Sequence, residues 1–155
     1  MKLKFLAILL LGMIIATASP ANEKPTSSYQ KVVDDFMHSY LNNDHKTLKT
    51  LLSEDAVFSS NRDVRVVKHS ATAIINEMKK NQSVRQQDCN ISAKIITATD
   101  ALVMAQVDVK YETFNNRQKN YLVLEKDKNG DWKITNVYKF YIDSKDAAEE
   151  KNIQV

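Results

Sequence analysis

The chain has 155 residues, with 22 Lys and Arg against 19 Asp and Glu and a formal net charge of +3. Two of those basic residues, Lys2 and Lys4, precede the apolar run Phe5 to Ile15 and the small-residue stretch Ala16, Thr17, Ala18, Ser19. This is the layout of a secretory signal peptide, with cleavage expected after Ala18. What remains is nearly neutral and has no basic cluster long enough to track a phosphate backbone, which argues against nucleic acid as a partner.

The apolar run falls well short of the roughly 20 residues that a membrane-spanning helix needs. The expectation is therefore an exported protein, periplasmic or extracellular, with no stable membrane insertion once the signal is removed. No cysteine follows the run, which argues against a lipoprotein, and Cys89 is the only cysteine of the chain, so no intrachain disulfide can form. Its place near the start of a strand reads as a small, partly buried side chain. Without residues 1–18 the chain has the length of one domain that buries its own core.

Residues 19–28 are polar, contain both prolines and read as a flexible lead-in. Ser27 or Ser28 then caps a helix whose apolar positions Tyr29, Val32, Val33, Phe36, Met37, Tyr40 and Leu41 recur at three- and four-residue spacing. Asn42 and Asn43 interrupt it. Asp44 suits the cap of a second, short helix presenting Leu48, Leu51 and Leu52. The period then changes: Val57 and Phe58, followed by Val64, Val66 and Val67, predict two short strand pieces around Ser59–Asp63. Ser70 caps a third helix carrying Ala73, Ile74 and Met78, which ends at Lys79, Lys80 and Asn81.

Four segments rich in Val, Ile, Tyr and Thr follow, at 84–97, 101–114, 118–126 and 131–142, and predict strands. Asn115 and Asn116 mark one turn between them. Asn129 and Gly130 predict a tight hairpin at the other. The tract Asp127, Asn129, Asp131 resembles the opening of a calcium loop, but Trp132 and Tyr138 stand where an EF-hand needs Gly and Glu, so the hairpin reading is preferred. Residues 143–155 are highly charged and read as a polar tail. Together these elements predict an α+β fold in which one strongly curved antiparallel sheet wraps around three N-terminal helices, leaving a concave mouth as the default site.

The order of these elements and several local words resemble the nuclear transport factor 2-like (SnoaL-like) superfamily over residues 29–142, as a secreted bacterial member. The words are Asn43–Asp44 between the first two helices, Glu54–Asp55–Ala56 before the first strand, and Gly130–Asp131–Trp132 opening the last. The resemblance implies a cone-shaped fold and, through an exposed sheet face, a homodimer. It does not imply one activity. In ketosteroid isomerase-like members an oxyanion-hole tyrosine lies on the first helix and a general-base aspartate on the first strand. The matching positions here are Phe36 and Ser60, so both proton-handling partners of that mechanism are replaced.

Strand alternation supplies the pocket candidates. Asn136 and Tyr138 alternate in step with Trp132 and Ile134, and Asp108 lies on the face of its strand that turns from apolar to polar. With Tyr40 and Tyr121 these form the expected ligand-binding set, and His69, just before the third helix, is expected at the pocket mouth. His38 and His45 fall on solvated faces. The histidines lack metal-ligand spacing, and no cofactor motif is present, so neither a metal nor a cofactor is expected. The chain therefore reads first as an exported small-molecule-binding or accessory domain. The alternatives are a lyase, hydratase or cyclase using Asp108 or His69, and a protein-interaction domain with a filled cone.

Overall fold

The computed structural model describes residues 28–62, 64–112 and 117–142. Residues 1–27, Asp63, 113–116 and 143–155 lie outside the described residues, and with them the expected signal peptide, most of the expected lead-in, the turn expected at Asn115 and Asn116 and the expected polar tail. The elements run α1 (Tyr29–Asn42), α2 (His45–Leu51), β1 (Leu52–Arg62), β2 (Arg65–Ser70), α3 (Ala71–Lys80), β3 (Cys89–Ala98), β4 (Leu102–Tyr111), β5 (Arg117–Lys126) and β6 (Trp132–Ile142).

Each helix starts where the sequence offers a side-chain acceptor. Ser28 caps α1 by accepting from Lys31 N–H at 3.2 Å, and Ser70 caps α3 by accepting from Ala73 N–H at 3.3 Å. Asp44 does more for α2: Oδ1 accepts from the Lys46 and Thr47 amides at 3.0 and 3.1 Å, and Oδ2 accepts the Thr47 hydroxyl at 2.6 Å. The Thr47 hydroxyl and then its amide hold the Asp44 carboxyl below the ordinary range. Stability from a carboxyl of lowered pKa is present above the unfolded value of about 3.9 and is lost as pH falls through the folded value. Asp44→Ala should cost about 1 kcal/mol. Asp44→Asn should keep most of the cap and flatten the acid limb of stability, read by urea unfolding from pH 6 down to pH 2.

Asn43 ends α1 in the left-handed region at φ 52, a conformation Asn adopts more readily than most residues. Its side-chain amide donates to the Met78 carbonyl at 3.2 Å and also to the Asn81 carbonyl, tying the α1–α2 corner to the end of α3. The Gln86 amide donates to the Leu41 carbonyl at 2.9 Å. Residues 84–88 are thus spent on tethering the end of α3 to α1, and the strand predicted to begin at residue 84 begins at Cys89.

The six strands form one sheet in the order β2-β1-β6-β5-β4-β3. All neighbouring pairs are antiparallel except β1 and β6, which run parallel. The sheet is thus mixed, and the hairpin of β1 and β2 comes before α3 in the chain. Leu52, expected on α2, already belongs to β1 and pairs with Ile134. Helix α1 packs on α2, β3, β4 and β6, and α3 on α2, β1 and β2. Val32, Val33, Phe36, Leu48 and Leu51 from the helices meet Val103, Ala105, Val107, Leu122, Leu124, Ile134 and Val137 from the sheet to make one core. Tyr29 closes its end edge-on to Trp132, with ring centroids 5.8 Å apart.

The expected hairpin at Asn129–Gly130 is in place, and its loop spans more than two residues. Lys126 and Trp132 are the last paired residues, and Gly130 alone takes positive φ, at 81°. The cause is Asp127, whose Oδ1 accepts the Asn129 and Asp131 amides at 2.8 and 3.0 Å and wraps a longer loop around itself. Those bonds also account for the calcium-like spacing of the acidic residues.

Two irregularities set which side chains face the helices. In β6, Ile134 pairs with Leu124 but Asn136 pairs with Val123, so Thr135 is an extra residue. In β1, Leu52 pairs with Ile134 and Val57 with Asn136, so the Ser53–Ala56 stretch bulges beside Thr135.

Candidate functional site

The helix-facing side of the sheet is apolar at one end and polar at the other. On β5 it carries Leu124 and Leu122, then Asn120 and Gln118, and on β6 past the bulge it carries Val137, then Lys139 and Tyr141. Where the polar residues begin, the helices no longer fill the cone. A cavity of about 240 Å³ lies there with apolar walls from Phe36, Leu48, Phe58, Ile74, Met78 and Val137. Its polar lining comes from Ser39, Tyr40, Asn43, Glu77, Gln86, Asn120 and Lys139. A second space of about 160 Å³ shares Phe58, Ile74 and Lys139 with it and adds Ser59, Ser60, His69 and Tyr141.

Most of these polar groups are engaged. Ser39 Oγ donates to the Phe36 carbonyl at 2.8 Å, and Glu77 Oε1 accepts from Asn81 Nδ2 at 3.1 Å. Tyr40 donates its hydroxyl to Gln118 Oε1 at 2.6 Å and lies 3.4 Å from the Tyr111 hydroxyl. Burial, then the Tyr111 contact, pushes the Tyr40 phenol far above its ordinary range, so it stays protonated as a neutral donor at any physiological pH. Lys139 Nζ stands 5.5 Å from the centre of the Tyr40 ring.

Asn120 is different. It is 1% exposed, its Nδ2 makes only a long 3.5 Å contact with the Val107 carbonyl, and its Oδ1 has no hydrogen-bond partner among the described residues. Lys139 is its cross-strand neighbour. A buried amide oxygen without a partner costs roughly 1–3 kcal/mol, so a residue kept in that state beside a cavity points to a donor that arrives from outside the chain.

Neither a protein-family model nor a curated protein matches this chain. Solved structures do. An NTF2-like protein of unknown function from Shewanella baltica matches with a TM-score of 0.61 and 13% identity, over 77% of this chain and 99% of that one. An NTF2-like protein from Cytophaga hutchinsonii matches with a TM-score of 0.58 and 19% identity, over 74% and 95%. The cone is an NTF2-like fold. A proposed ketosteroid isomerase from Shewanella frigidimarina shares it with a TM-score of 0.56 and 21% identity, over 73% and 94%.

Within this NTF2-like cone, Phe36 lines the larger cavity and Ser60 the smaller one. The two positions that resemblance to the isomerases singles out thus do border the hollow, but they carry a benzyl ring and an alcohol. Tyr40 lines the cavity and His69 the adjoining space, as expected from sequence.

The other four candidates lie on the opposite sheet face. Tyr121 pairs with Tyr138 and Gln106, and Val123 with Asn136 and Met104, while the inward positions between them belong to Leu122 and Val137. Tyr121 meets Phe140 edge-on there, at 5.6 Å between centroids. Asp108 accepts from Gln106 Nε2 at 2.8 Å on the same outer face, leaving its other carboxylate oxygen buried without a partner among the described residues. The displacement of Asn136 and Tyr138 follows from Thr135, because one extra residue exchanges the two faces of everything beyond it. For Asp108 the reason is simpler: Val103, Ala105, Val107 and Val109 form the buried face of β4, and Asp108 alternates with them. Sequence reading missed Asn120 and Lys139. Asn120 stands in phase with Leu122 and Leu124, and the three-residue step from Ile134 to Val137 was the signal that the alternation breaks.

Among the described residues no group of three His, Cys, Asp or Glu is arranged to hold a metal ion, and no helix is long and apolar enough to cross a membrane.

Proposed function

We propose that this protein is an exported binding or accessory domain whose cone takes up a small, partly apolar molecule. The carrying observation is the Asn120 amide: 1% exposed, on the wall of a hollow of about 240 Å³, with its oxygen unpartnered among the described residues. A filled cone serving only as a protein-interaction scaffold has no use for either the hollow or the orphan oxygen. An acid–base reading is weaker, because Asp108 faces away from the hollow, Glu77 accepts from Asn81, and His69 borders only the adjoining space. Export rests on the signal-like first 18 residues.

The outer sheet face favours a second copy of the chain. Tyr138 and Phe140 are 41% and 40% exposed there, and Asp108, with one carboxylate oxygen unpartnered among the described residues, lies across Lys119 from Phe140. A twofold pairing of such a face meets itself and covers the aromatic patch.

Native mass spectrometry of the mature protein, purified gently from its own host, tests both parts. The expected result is the mass of two chains, carrying one small-molecule adduct per chain. A folded protein that never carries an adduct, in any preparation from its host, overturns the binding reading, and a monomer at micromolar concentration overturns the pairing.

A further inference from the structure

The hollow does more than admit apolar material, because its two unusual polar groups stand side by side. Asn120 and Lys139 are directly paired residues of β5 and β6 on the inward face. Side chains so paired have their Cβ atoms about 5 Å apart. One offers an amide oxygen that accepts and has no partner among the described residues, and the other an ammonium that only donates. Around them the wall is aromatic and aliphatic: Phe36 and Tyr40 stack at 6.3 Å between centroids, and Phe58 and Ile74 continue the surface into the adjoining space.

We infer that the Asn120–Lys139 pair recognises a hydroxycarboxylate head group on a small apolar or aromatic body. The ligand hydroxyl donates to Asn120 Oδ1, and its carboxylate accepts from the Lys139 ammonium. This rests on the binding reading above and adds the chemistry of what is bound. A plain carboxylate leaves Asn120 unsatisfied, and an uncharged alcohol or amide forgoes the charge-assisted bond to Lys139. Glu77 is the one carboxylate on the cavity wall, where it accepts from Asn81 Nδ2.

Size narrows the body. A dry cavity of about 150 Å³ holds a benzene ring. On that scale the hollow of about 240 Å³ takes roughly ten non-hydrogen atoms, a single ring with a short head group. A ligand of that size binds with a Kd of about 0.1–1 mM at ordinary ligand efficiency.

Three probes of one size separate the terms: mandelate, phenylacetate, which lacks the hydroxyl, and mandelamide, which lacks the charge. Each is titrated into the mature protein by calorimetry. Mandelate is expected to bind about tenfold more tightly than either of the others, since each missing polar contact to a buried partner is worth about one such factor. Asn120→Leu should remove the preference over phenylacetate, and Lys139→Met the preference over mandelamide, each leaving the other preference in place.

Equal binding of all three probes overturns the head-group assignment and leaves the cavity as an apolar site. No binding of any probe, with an adduct of other chemistry on the native protein, also overturns it while the binding reading stands. No binding and no native adduct removes both.

Discussion

Deletion of Thr135 is expected to cost about 4 kcal/mol or more, a large share of the roughly 5–15 kcal/mol that holds a domain folded. Thr135 is the residue by which β6 outruns β5 between the Leu124–Ile134 and Val123–Asn136 pairs. Without it the strand must slip. Either Val137, Lys139 and Tyr141 turn outward while Asn136 and Tyr138 enter the core, or Trp132 and Ile134 leave it. Ile134 and Val137 are both buried, so each slip exposes core surface and buries polar groups. Thr135→Ala provides the contrast. Its hydroxyl contacts Glu125 Oε1 at 3.1 Å and the Val123 carbonyl at 3.4 Å, bonds whose loss should cost under about 1 kcal/mol. Urea unfolding of the two variants decides the matter: a deletion as stable as Thr135→Ala shows that the residue count does not hold the two faces in phase.

Asn120→Leu is expected to act in the opposite direction on stability and to damage function. In the unliganded protein the substitution removes a buried oxygen that has no partner among the described residues and extends an apolar side chain toward the hollow. A gain of about 1–2 kcal/mol follows, or roughly 3–8 °C in Tm, because the cost of the unmet acceptor disappears. The natural adduct should be lost or weakened at least about tenfold in the same variant. Stabilising a protein by destroying its binding group is the trade expected where a site keeps an unmet polar atom for its ligand. If thermal unfolding instead shows a loss of more than about 1 kcal/mol, the amide is satisfied in solution and serves the core, and the cavity's handle lies elsewhere.

Much of the architecture was legible in the sequence because its signals are local. Ser28, Asp44 and Ser70 announce three helix starts through short side-chain bonds that depend on a few neighbouring residues. The apolar period of α1 and the β-rich segments after residue 88 identify their elements for the same reason. The parallel pairing of β1 with β6 was not legible, since it joins Leu52 to Ile134 across most of the domain and leaves no local mark.

Of the six residues expected at the site, two border the hollow or its neighbour and four lie on the other face of the sheet. Tyr40 and His69 lie on elements whose phase is set by helix period or by adjacency to a cap, and they reach the hollow and its neighbour. Asp108, Tyr121, Asn136 and Tyr138 depend on strand phase, where an error of one residue is complete. A period of two carries no memory of which face is inward. The apolar quality of the competing face settles it, and Leu122, Leu124 and Val137 were the residues to weigh.

The position of β6 has a consequence for how the chain comes to be folded at all. The last strand among the described residues is third in the sheet, with β1 on one side and β5 on the other. Until it is delivered, β2-β1 and β5-β4-β3 are two separate ribbons linked only through the helices, which have no continuous wall to close upon. Assembly must therefore wait for the C-terminal segment and proceeds by long-range closure, which is slow. For a chain that we propose is exported, that delay is useful: the cone cannot close before β6 has been made, and the polypeptide remains threadable until then.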